Sequence, residues 1–246
     1  MYRFNEATTP INLDDLRIDE TALNRYIAHV FGWTFLGLFT TAATVMFFIF
    51  GSAASPAIAG FLAASLNMLL FIGIGQLALV FVFSMRIHKM RTATAKLMYL
   101  FYAVSMGFLF TWVALFYQLQ TIGIAFLITS VSFGTMALYG LVTKADLTRF
   151  GSLLLFALIG LIIASVANWF LGNSTLDLII ILAGLFIFLA LTVYDAQRIK
   201  HNYFASVDEH GDPTVLTQNL AIFSALGLYL NFINIFLFIL RLLSRD

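Results

Sequence analysis

The chain has 246 residues, of which 61% are hydrophobic and only 10% charged, and its mean hydropathy is +0.97; a water-soluble domain carries roughly 25% charged residues. That composition excludes water as the main solvent, and the absence of cysteine excludes disulfides, thiolate metal sites and cysteine nucleophiles. The formal net charge of +1 comes from a few short clusters and gives no reason to expect nucleic acid as a partner.

In chain order, residues 1–25 form a polar N-terminal segment with the acids Glu6, Asp14, Asp15, Asp19 and Glu20 and the arginines Arg3, Arg17 and Arg25. This is the opposite of a basic n-region before a cleavage site, so the first apolar helix is expected to stay. Beyond it, a charge at mid-bilayer costs ~3 kcal/mol or more, so charges mark helix ends. Positions 26–85 have no formal charge, which gives two spans of about 20 residues, with a turn from Gly51-Ser52 to Pro56. Positions 97–143 hold two more, broken at Gln118-Leu119-Gln120-Thr121, and 150–176, 178–194 and 213–240 one each. Backbone polar groups must pair internally in lipid and no period-two pattern recurs, so the spans are helices. The expected protein is an all-α integral membrane protein with a seven-helix domain over 26–241 and a short tail at 242–246. There is no low-complexity segment and no convincing internal repeat.

Eleven of the 13 basic residues fall on one side of this layout: Arg3, Arg17 and Arg25, then Arg86, Lys89, Arg91 and Lys96, then Lys144 and Arg149, then Arg198 and Lys200. Only Arg241 and Arg245 fall on the other. The positive-inside rule then puts the N-terminus in the cytoplasm and the C-terminus outside.

Polar groups inside spans are few. Asp195 follows the sixth apolar run and is placed near its cytoplasmic edge, with Arg198 one turn on as a simple charge partner. Thr192 and Gly184 share its face, which is equally a packing seam. In the seventh span Ser224, Gly227, Asn231 and Asn234 recur at offsets of three, seven and ten, a stripe that turns toward protein or water. Counting about 1.5 Å per residue from Arg241 places Asn231 about 15 Å deep. Small and amide side chains of this kind also serve simply to join helices. Arg86 ends the second span, where a snorkelling arginine is ordinary. His29, His88, His201 and His210 lack metal-site spacing, and Asp208, Glu209 and Asp212 do not fit a calcium loop. The seventh span has no lysine for a Schiff base, and no nucleophile motif is present, so an enzyme is not expected.

Two motifs carry a resemblance. Tyr194-Asp195-Ala196-Gln197-Arg198-Ile199-Lys200 and Leu228-Tyr229-Leu230-Asn231-Phe232-Ile233-Asn234-Ile235-Phe236 resemble signatures of the Bax inhibitor-1 family, also called the transmembrane Bax inhibitor motif family. The stretches from Arg25-Tyr26 to Gly37 and Tyr139-Gly140-Leu141-Val142-Thr143-Lys144-Ala145-Asp146-Leu147 resemble its bacterial branch. The resemblance implies a bundle whose last helix is wrapped by the other six. It also implies pH-sensitive calcium leak, protection against cell death in eukaryotes, and in bacteria modulation of a membrane-bound protease. Carried over, Asp195 resembles the first of the family's paired carboxylates and Arg86 the arginine that latches onto it. Asn231 stands where the second carboxylate usually is, so a pH switch built on the pair is weakened, and Asn231 is expected instead to donate a hydrogen bond to Asp195.

Two functions follow. The first is a gated cation leak in the bacterial inner membrane, with calcium as the transported ion, no cofactor, and Asp195, Asn231 and Arg86 at the gate or ion path. The second is a non-conducting regulator, embedded in the bilayer, that binds a membrane protease or another membrane protein.

Overall fold

The computed structural model describes residues 20–207 and 213–245. Arg3, Arg17, the acids from Glu6 to Asp19, and Asp208, Glu209, His210 and Asp212 lie outside the described residues.

Among the described residues eight α-helices follow one another: α1 Glu20–Ala54, α2 Pro56–Ser65, α3 Leu69–Arg86, α4 Thr92–Phe116, α5 Leu119–Val142, α6 Gly151–Leu171, α7 Ser174–Phe204 and α8 Val215–Leu243. The described residues contain no named strand, only an isolated bridge between Val207 and Pro213. Taking α2 and α3 as one span over Pro56–Arg86, seven helical segments are long and apolar enough to cross a membrane. The joints sit where residue type demands them. Pro56 opens α2 at a position that needs no N–H donor. Gly172 ends α6 at φ 60°, and Asn173 caps α7 by accepting from Leu176 N. Thr214 and Thr217 form a reciprocal capping box at the start of α8.

Two boundaries differ from those read in the sequence. The second span is interrupted by a 3-10 turn at Leu66–Met68, where Ser65 Oγ donates back to Leu62 O at 2.7 Å and tightens the chain. The sixth apolar run does not end its helix at position 194. α7 continues to Phe204, because the polar side chains beyond Tyr194 find partners on other elements.

α8 is the centre of the bundle. In its most apolar stretch 67% of residues are buried, against 11–33% in the other spans. It packs against α7, α1, α5 and α4, while α6 rides on α7 and α2 on α1. The outer surface is apolar, with Phe71 72%, Phe35 70% and Trp169 79% exposed, which suits lipid rather than water. Several hydroxyls inside the spans are satisfied without solvent. Thr34, Thr111, Thr129 and Thr192 each donate to the carbonyl four residues back, and Tyr229 OH lies 2.7 Å from Thr41 Oγ1.

Candidate functional site

The C-terminal half of α7 divides its polar side chains between two faces. Gln197 and Lys200 turn toward the α5–α6 connection. Gln197 Nε2 donates to Ala145 O at 2.6 Å and its Oε1 accepts from Leu147 N, while Lys200 Nζ donates to Leu141 O at 2.6 Å. A carbonyl in the last turn of α5 and one in the connection beyond it are thereby capped from α7. A Cβ at Gly140 would stand 2.4 Å from Val193 O, so this crossing of α5 and α7 requires glycine. The stretch 139–147, which resembles the bacterial branch, and the family signature 194–200 are thus bound to each other.

Asp195, Arg198 and Asn202 recur at offsets of three and seven and take the other face, toward α8. Asn231 Nδ2 donates to Asp195 Oδ2 at 2.7 Å, and two turns nearer the α7–α8 connection Asn202 Nδ2 donates to Ser224 Oγ at 3.0 Å. Gly227 lies between these bonds, and a Cβ there would meet Asp195 Oδ2 at 3.4 Å, an ordinary contact that leaves room for a methyl group. Asn231 is buried and Asp195 half-buried. Asp195, Arg198, Asn202, Ser224 and Gly227, with Ser84 of α3, line a cavity of about 170 Å³. Between Asn231 and Arg241 the core residues of α8, Ile235, Phe236, Ile239 and Leu240, are buried and apolar.

Three members of the predicted stripe, Ser224, Gly227 and Asn231, therefore meet at the site. The fourth, Asn234, donates to Leu230 O of its own helix at 2.8 Å and is not part of it. Asp195 is not at a helix edge. It lies nine residues before Phe204, roughly 14 Å at 1.5 Å per residue, at the same level as Asn231. Thr192 and Gly184 belong to a packing seam, Gly184 lying under the ring of Phe238.

The expected latch is not formed. Arg86 is exposed at the end of α3, because Phe83 and Ile87 take the inward face there, and among the described residues no ion pair joins Arg86 to Asp195. The cation in helical register with Asp195 is Arg198, one turn along α7, which lines the same cavity without forming an ion pair with it among the described residues. The sequence signal for Arg198 and Asn202 was their helical register with Asp195. Nothing in the sequence pointed to Asn219, which is buried in α8 and donates to Ile87 O and Met90 O, tying the end of α3 to the central helix.

A carboxylate inside a bundle is tolerated where a donor and a cation offset its lost hydration, and Asn231 and Arg198 fill those roles. The cavity offers that one carboxylate and the oxygens of Ser84, Asn202 and Ser224. A resident calcium ion takes six to eight oxygens, several of them charged; this donor set falls short of that.

A family model described as Inhibitor of apoptosis-promoting Bax1 matches residues 23–246. This chain belongs to the Bax inhibitor-1 family. Among its relatives, the Inner membrane protein YbhL of Escherichia coli strain K12 is 35% identical over 94% of this chain and 96% of its own length. A protein of Deinococcus radiodurans is 35% identical over 90% of this chain and 91% of its own. Protein RP147 of Rickettsia prowazekii is 40% identical over 69% and 70%. As a Bax inhibitor-1 family protein with seven apolar spans, the chain is a multi-pass membrane protein.

Proposed function

We propose that this protein mediates a gated leak of cations, with calcium as the principal ion, across a bacterial inner membrane. In this reading α8 lines the path and the Asp195–Asn231 pair holds it shut on the cytoplasmic half. The inner-membrane location follows the name of the Escherichia coli relative, and the cytoplasmic N-terminus follows the distribution of basic residues.

One observation carries the reading: a carboxylate on a spanning helix is bonded to the central helix at 2.7 Å and lines a cavity between α3, α7 and α8. An acid in that position is costly to keep, and its use is to meet a cation. Breaking the bond to Asn231 frees the carboxylate for an entering ion and loosens α7 from α8. Opening then requires α8 to shift against its neighbours, since beyond Asn231 its core side chains are apolar and buried. The same apolar stretch supports the second reading, a non-conducting regulator that engages a membrane protease or other membrane protein.

Calcium flux into liposomes holding the purified protein separates the two. Under the leak reading, Asp195→Asn loses flux because the charge is gone, whereas Asn231→Ala raises it because the closure is gone. Absence of flux from mildly acidic to alkaline pH, in the natural protein and both variants, would overturn the leak and favour the regulator.

A further inference from the structure

A second cavity, of about 420 Å³, lies between the first turns of α1, the end of α7 and the start of α8. Arg25 and His29 line it from α1, Gln218 from α8, and Tyr26 and Tyr203, their rings tilted against each other at 5.2 Å, form its aromatic wall. Among the described residues that line it there is no carboxylate. His29 is also tied sideways. Trp33 Nε1 donates to His29 Nε2 at 3.0 Å, and Lys96 of α4 sits over the Trp33 ring at 5.8 Å. Trp33 can only donate, so Nε2 of His29 is an acceptor and the ring's N–H is on Nδ1, free for another partner. Arg25, His29 and Trp33 follow each other at offsets of four, so they form one continuous strip along α1 that Lys96 extends onto α4. The described ion pairs both use Asp177, with Arg241 and Arg245, so neither Arg25 nor Lys96 has an acid partner among the described residues.

The depth of the strip decides what it meets. α1 has 35 residues, roughly 52 Å at 1.5 Å per residue, against a hydrocarbon core of about 30 Å. Its first turns therefore stand in the headgroup layer, with Trp33 at the boundary where indole rings settle. Lys96, in the second turn of α4, stands at the same level. Arg25 and Lys96, without an acid partner among the described residues, together with the imidazole N–H of His29 and the exposed amide of Gln218 at phosphate depth, match a phosphodiester anion.

We propose that this strip, Arg25, His29 and Lys96 with Gln218, is a binding site for the headgroup phosphate of an anionic phospholipid. The proposal does not depend on conduction. The site anchors the first turns of α1 and the start of α8 to the charged leaflet.

Native mass spectrometry of the full-length protein, titrated with phosphatidylglycerol and with phosphatidylcholine, tests it. The natural protein should bind phosphatidylglycerol about tenfold more tightly. The double variant Arg25→Gln, Lys96→Gln should bring the two lipids near parity. Arg149→Gln removes a cation elsewhere on the same side and should leave the preference unchanged, and melting temperatures in detergent verify that each variant is folded. No preference in the natural protein, or an equal loss in Arg149→Gln, would overturn the site. Saturation by inorganic phosphate, with displacement of phosphatidylglycerol, would assign it to a free anion and overturn the lipid reading.

Discussion

Asn231 donates to Asp195 across 2.7 Å, and a hydrogen bond to a carboxylate is worth about 1.5–3 kcal/mol. Asn231→Ala should therefore lower stability by about that amount, read as a melting shift in detergent. A double-mutant cycle on Asp195 and Asn231 should show coupling of about 1–3 kcal/mol. The same cycle on Asp195 and Arg86 should show little, since the two are not paired. Asn231→Asp would place a second titratable group at the same short distance and couple the two titrations. The pH dependence of calcium flux in Asn231→Asp should then differ from that of the natural protein; matching curves would mean that the pair does not govern the path. The Asp195–Asn231 bond was legible in the sequence because the stripe of the seventh span and the resemblance both pointed to it. The partner of Arg86 was not, because it depends on how α3 is turned about its own axis, and residue spacing along α3 says nothing of that.

Among the elements, the number of spans was legible because charges are sparse and each one ends an apolar run. The length of α7 was not. Six of its last ten residues are polar or charged, and they stay helical because Gln197 and Lys200 bind the α5–α6 connection while Asn202 binds Ser224, contacts made between distant parts of the chain. If that account is right, Lys200→Ala should cost about 1.5 kcal/mol and speed proteolysis at residues 143–147. Gly140→Ala should be worse than its size suggests, since a Cβ would meet a backbone oxygen at 2.4 Å and force α5 away from α7; overpacking of this kind costs about 1–3 kcal/mol. An unchanged melting temperature for Gly140→Ala would mean that the two helices can separate freely.

At the scale of the whole molecule, an odd number of spans predicts that the two ends of the described chain lie on opposite faces. The far end is fixed by Asp177, at the start of α7, which pairs with Arg241 and with Arg245 at 3.0 Å. Reporter fusions should find the N-terminus in the cytoplasm and the C-terminus outside, and a cytoplasmic tail would show that one span does not cross. The leak account makes a stronger claim, that the path opens when the cytoplasmic half of α7 parts from α8. The chain has no cysteine, so thiols can be placed at will, and Asn202 and Ser224 already touch across that seam at 3.0 Å. The decisive measurement is calcium flux in liposomes through the variant Asn202→Cys, Ser224→Cys, before bridging with a short reducible bis-thiol reagent, after bridging, and after reduction. The account predicts that flux collapses when the two helices are bridged and returns when the bridge is reduced. Flux that persists through a completed bridge would contradict it.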